Sequence, residues 1–103
     1  MAEAIFAALE RDYRPGIVTA PVSFYFSIDD VKRTVVLRPD GCRVAAGKTV
    51  EPADCVCKMG RDFFLRVWND HYRPGLKDFL GGAIKSNDPA ALQLFLKAFG
   101  KDA

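Results

Sequence analysis

The stretch Val22-Ser23-Phe24-Tyr25-Phe26-Ser27-Ile28 alternates without a break, and it constrains the fold more than any other part of the chain. Val22, Phe24, Phe26 and Ile28 fall on one side; Ser23, Tyr25 and Ser27 fall on the other. Successive side chains of a strand point to opposite faces, so this is a strand with one buried face. Asp29-Asp30 makes a turn, and the β-branched run Val31 to Leu37 is a second strand. Pro39-Asp40-Gly41 turns the chain again, and Cys42 to Ala46, closed by Gly47, is a third. Strands joined this tightly form an antiparallel meander. Its apolar face must be covered by a second layer.

Helical periodicity supplies that layer. Ala2 to Asp12 reads as an amphipathic helix with Ile5, Ala8 and Leu9 in its repeat, ended by Pro15-Gly16. After a fourth alternating strand, Ala53 to Met59, the period changes. Asp62 reads as a helix cap, and Phe63, Phe64, Val67, Trp68 and Tyr72 form a wide apolar face that Pro74 interrupts. Gly75 to Leu80 is a short helical turn stopped by Gly81-Gly82, and Ala83 to Ser86 is a last strand. Asn87-Asp88-Pro89 opens the clearest helix: a capping side chain, proline at the first position, then Leu92, Phe95, Leu96 and Phe99 at i, i+3, i+4 and i+7. The order α-β-β-β-β-α-α-β-α predicts an α+β fold, with helices on one face of a mostly antiparallel sheet. At 103 residues, one domain over 1–103 is expected.

Several function classes find no support. The 15 basic and 13 acidic residues leave a net charge of +2, with no basic run to grip nucleic acid. No apolar run approaches the ~18 residues of a transmembrane segment. The start, MAEAIFAALERDYRP, lacks the charge pattern of a secretory leader, and three cysteines suit reduced thiols, so a cytoplasmic setting is expected. Cys55 and Cys57 share a strand face with Ala53 and Met59, which reads as packing and not as half of a metal site. His71, the sole histidine, falls at a helix end, where it reads as surface or as the polar mouth of a ligand site. Gly47-Lys48-Thr49 lacks the first half of a phosphate loop. The carboxylates show no paired spacing, so neither an enzyme nor a cofactor is expected. What remains is a heavy aromatic load, eight Phe and one Trp, which composition alone assigns to plain core.

A resemblance turns that reading. Ala53-Asp54-Cys55-Val56-Cys57-Lys58-Met59, then Asp62-Phe63-Phe64-Leu65, resembles the Ala-Asp-Cys strand and Asp-Phe helix start of the sterol-carrier-protein-2 (SCP2) family. Phe79-Leu80 before Gly81-Gly82-Ala83-Ile84-Lys85 is similar to that family's aromatic-Gly-x-Leu-Lys segment. The closing Leu92-x-x-Phe95-Leu96 helix and the Val22–Ile28 strand match it too, so the resemblance spans roughly Ile5 to Phe99. It implies a five-stranded sheet with helices over one face and an apolar tunnel between. It also implies a non-catalytic lipid-binding role, with a fatty acid, acyl-CoA, sterol or phospholipid as partner.

On that reading the ligand-binding residues are Phe24, Phe26, Phe64, Trp68, Phe79, Leu92, Phe95, Leu96 and Phe99. The alternative is an interaction or dimerisation module with a filled core, of the kind found as accessory domains and factors in quinone or lipid metabolism. Three departures from the family pattern bear on the tunnel. The segment before the first strand is short, Trp68 to Pro74 replaces the usual inter-helix connection, and Asn87 stands near a family glycine. The C-terminal Lys101-Asp102-Ala103 is not a peroxisomal signal.

Overall fold

The structure, a computed structural model, describes residues 2–101. The reading of Lys101-Asp102-Ala103 extends past them. The elements are α1 (Ala2–Asp12), β1 (Val22–Ile28), β2 (Val31–Arg38), β3 (Gly41–Ala46), β4 (Cys55–Met59), α2 (Arg61–Asn69), α3 (Leu76–Leu80), β5 (Ile84–Ser86) and α4 (Pro89–Ala98). No helix among the described residues is long and apolar enough to cross a membrane.

β1 lies at the centre of a five-stranded sheet ordered β3-β2-β1-β4-β5. β1, β2 and β3 form the expected meander, with Phe24 opposite Val35 and Val35 opposite Val44. β4 then joins the other edge of β1 in parallel, Phe24 facing Cys55 and Phe26 facing Cys57. β5 returns antiparallel to β4. The sheet is therefore mixed, with one parallel seam.

That seam requires residues 47–54 to cross the sheet from β3 to β4. They cross its outer face on specific bonds. Gly47 N donates to Lys32 O at 2.9 Å, and the Thr34 hydroxyl donates to Gly47 O at 2.7 Å while accepting from Thr49 N at 3.0 Å. The Lys48 ammonium stands 5.4 Å from the centre of the Tyr25 ring. Asp54 ends the crossing by accepting from Ser23 N at 2.9 Å. Thr34 is thus buried with its polar atom satisfied, as a buried hydroxyl must be.

The inner face carries Phe24, Phe26, Ile28, Val35, Leu37, Cys55, Cys57 and Ile84, all buried. α1, α2 and α4 cover it with Phe6 and Leu9, with Phe64, Val67 and Trp68, and with Leu92, Phe95 and Leu96.

Local corrections have physical causes. The buried stripe of α1 is Ala2, Phe6 and Leu9, continued by Tyr13 just past its end, so Ile5 and Ala8 lie at its flank. α2 is capped at Gly60, not at Asp62: the Asp29 carboxylate, from the β1–β2 turn, accepts from Arg61 N at 3.0 Å. A side chain 32 positions away has taken the role of a local cap. α2 also ends at Asn69, before Pro74. There the amides of Asp70 and Tyr72 both donate to Arg66 O, and His71 adopts a left-handed φ of 54°. Tyr72 therefore lies off the helix. The cap of α4 agrees with the sequence: Asp88 Oδ1 accepts from Ala91 N at 3.1 Å, ahead of Pro89.

Candidate functional site

Between sheet and helices the aromatic side chains meet. Phe95, projecting from α4, lies 5.1 Å from Phe24 and 4.8 Å from Phe26 between ring centres. It also touches Phe99 at 4.9 Å and Trp68 at 6.0 Å. Trp68 reaches Phe64 at 6.0 Å and Phe99 at 5.6 Å. These separations and tilts lie in the favourable range for aromatic pairs. Leu92 and Leu96 are buried on the same helix. Eight of the nine residues expected to line a tunnel are buried together here. Phe79 stands apart, half-buried on α3 at the margin of the cluster.

Phe6 belongs to this layer, and the sequence reading missed it. It stacks on Phe64 at 5.4 Å with planes 3° apart, and it meets Phe26 at 5.6 Å. Its signal was present: Ala2, Phe6, Leu9 and Tyr13 form an i, i+4, i+7, i+11 stripe that Ile5 obscured. The Tyr13 ring continues the layer to Phe99 at 5.6 Å, while its hydroxyl donates to Arg38 O at 2.6 Å.

The five hollows described lie on the surface, between about 220 and about 350 Å³, and none is lined by any of the nine residues. In this conformation the rings meet one another across the space between the layers.

Other candidates resolve simply. Cys55 and Cys57 are fully buried, their sulfurs 3.6 Å apart, and both touch the Ser86 hydroxyl. The neighbouring Cys55 sulfur and burial push the Cys57 thiol up, so Cys55 is the first of the pair to lose a proton. No cluster of metal-ligating side chains occurs among the described residues. His71 is exposed. Lys48 pairs with Glu51 at 3.2 Å within the crossover.

A largely exposed segment borders the layer, with Tyr72 and Phe79 half-buried against it. From Asp70 to Ala83 only Pro74 is buried. α3 buries none of its five residues, and Leu76 and Leu80 are 75% and 78% exposed. One carboxylate holds this segment in shape: Asp78 accepts from Gly75 N at 2.8 Å and from the Tyr72 hydroxyl at 2.7 Å. Those two bonds keep the Asp78 carboxyl below its usual range.

A central meander, a parallel fourth strand, an antiparallel fifth and helices over one face together make the fold of SCP2 domains. The sec-alkylsulfatase Pisa1 from Pseudomonas sp. is similar over 97% of this chain, at 14% identity and a TM-score of 0.74. This chain spans only 16% of that one. UbiJ-SCP2, a ubiquinone synthesis protein, matches 97% of this chain and 87% of its own at 14% identity, with a TM-score of 0.70. Sterol carrier protein 2 from Yarrowia lipolytica, in its apo form, matches 78% of this chain and 69% of its own at 19% identity and a TM-score of 0.50. No protein family and no curated protein matches at the level of sequence.

Proposed function

We propose that residues 1–103 act as one non-catalytic lipid-binding domain, taking the apolar chain of a fatty acid, acyl-CoA, sterol or phospholipid between the inner face of the sheet and the helices. The observation that carries this reading is the margin of the layer. Leu76 and Leu80 are large, exposed and one helical turn apart, on a segment that buries only Pro74. A segment so placed can lift without breaking the core, and a bound chain would give its leucines something to cover. Phe24, Phe26, Phe64, Trp68, Leu92, Phe95, Leu96 and Phe99 would then line the site, with Phe79 at its entrance. The polar stretch from Asn69 to Arg73 would meet a head group.

Magnitudes restrict the ligand. Separating the packed layer by the smallest ordinary ligand volume, ~300 Å³, costs about 7 kcal/mol at ~24 cal/mol per Å³. Burial returns ~0.8 kcal/mol per methylene, so about nine methylenes only balance that cost. Chains of about 8 carbons should not bind, and chains of about 16 should.

A second reading has its own support. The rings are in mutual contact, and of them only Phe6 lines a described hollow, a surface one beside α1, which suits a filled core and an interaction module. Leu76 and Leu80 would then meet a partner protein or a second copy of the chain.

Thermal melts of delipidated protein separate the two. Ligand at ~100 times its dissociation constant adds ~2.7 kcal/mol, and each kcal/mol raises the melting temperature by ~4–8 °C in a domain of this size. A shift of about 10 °C or more with a long-chain lipid, absent with its 8-carbon analogue, is expected. No shift with any lipid class, together with lipid-free protein that elutes as a dimer, would reject lipid binding in favour of the second reading.

A further inference from the structure

The outer face of the sheet carries a polar row across four adjacent strands. Lys32 on β2 is registered with Ser27 on β1, Ser27 with Lys58 on β4, and Lys58 with Lys85 on β5. Like charges placed directly opposite on a sheet destabilise it. Lys58 and Lys85 are such a pair, both exposed, and neither is in an ion pair with a carboxylate among the described residues. The crossover 47–54 covers the β1–β2 side of this face through Thr34 and Tyr25, and it leaves the lysine pair open.

Beside the pair is a hollow of about 240 Å³, lined by Lys58, Lys85, Ser27, Asp29, Gly60 and Gly82 among others. Its polar groups are arranged for an anion. The Lys32 ammonium, which can only donate, gives a hydrogen bond to Ser27 Oγ at 2.7 Å, so the Ser27 hydroxyl proton is left for another acceptor. Gly60 caps α2, and the positive end of that nine-residue helix begins at the rim. The single carboxylate, Asp29, is engaged there already, accepting from Arg61 N at 3.0 Å. Two lysines line the hollow against one carboxylate, with Lys32 behind Ser27, and leave it net positive. A second hollow of about 340 Å³, over Val56 and Asn87, shares both lysines and gives room for an organic substituent.

We infer that this hollow binds a phosphate group, free or as a small phosphate monoester, bridged by Lys58 and Lys85 and accepting from Ser27. Its lysines and Ser27 lie on the side of the sheet opposite the aromatic layer, while Gly82 and Ala83 on its rim end the segment that borders that layer, so the test is made on lipid-free protein and its outcome is read apart from lipid binding.

Titration of the folded chain with inorganic phosphate, followed by amide NMR at low ionic strength, tests it. Saturable shifts are expected at Gly60, Gly82, Ala83 and Lys85, and sodium chloride at matched ionic strength should not produce them. The double substitution Lys58→Ala with Lys85→Ala should weaken phosphate at least tenfold. Its melting temperature without phosphate should not fall, because a like-charge pair is removed. Shifts shared with chloride or scattered over the lysine-bearing surface would overturn the inference, as would an affinity unchanged in the double variant. Vesicles containing phosphatidylglycerol form the other arm. Binding to vesicles without binding to free phosphate would place the anion recognition in a bilayer and reject this site.

Discussion

Phe26 and Ser27 are neighbours on β1, yet they stand in opposite environments. Phe26 touches Phe6, Phe24 and Phe95 in a buried aromatic layer. Ser27, on the other face, belongs to a row of lysines and an open hollow. The inner face is held by area and fit, so its energy is large and its chemistry uniform. The outer face is held by a few directed bonds, so its energy is small and its chemistry selective. One strand thus serves stability on one side and recognition on the other, and substitutions should divide accordingly.

The sharpest test of that division is Phe95→Ala. Phe95 is in ring contact with four aromatic partners and is 1% exposed. Its removal should cost ~3–5 kcal/mol, a large part of the ~5–15 kcal/mol available to such a domain. Denaturant melts measure this; a loss below about 1 kcal/mol would mean that the layer already gives way, as an open pocket would.

A titration probes the inner face more gently. Burial, with Glu10 nearby, pushes the Cys42 thiol up to about 11. The unfolded thiol titrates near ~8.5, so the folded state holds its proton more tightly. The stability this contributes is complete below pH ~8.5 and is lost as pH rises through the folded value. About 2–3 kcal/mol more should disappear between pH 8 and pH 11 in the native chain than in Cys42→Ala, where Cys57 and Tyr13, also raised by burial, still titrate. An equal pH dependence in the two proteins would rule the thiol out as its source.

The smallest effect belongs to the outer face. Thr34→Val removes the hydroxyl that ties Gly47 and Thr49 to the sheet. The freed groups can turn to water, so the cost should be about 1 kcal/mol. Amide exchange should speed up across residues 47–54 and stay unchanged in α4. Faster exchange throughout would show that the crossover and the core open together.

The sequence made some of this plain and concealed the rest for identifiable reasons. β1 and α4 were legible because their signals are local: strict alternation in one, Asp88-Pro89 and a four-residue stripe in the other. The partner of β4 was not, because residues 47–54 carry no pattern that says which strand they lead to. Gly60 as a cap was hidden since Asp29, its helper, comes from a distant turn. The end of helix α2 was hidden because nothing about His71 announces a positive φ. The aromatic layer was largely visible as outward-inward periodicity, apart from Phe6. The lysine row was invisible for a different reason: Lys32, Lys58 and Lys85 lie on three strands, and only the register brings them into line.

The parallel seam has a kinetic consequence. β1, β2 and β3 can assemble through turns of two residues, since each strand meets its partner almost as soon as both exist. β4 cannot: Phe24 must find Cys55 across 31 residues, after the meander and its crossover have organised. Closing a long loop is paid for before its contacts reward it. The β1–β4 joint is therefore the expected late event in folding, with the meander as a template that waits for the second half of the sheet.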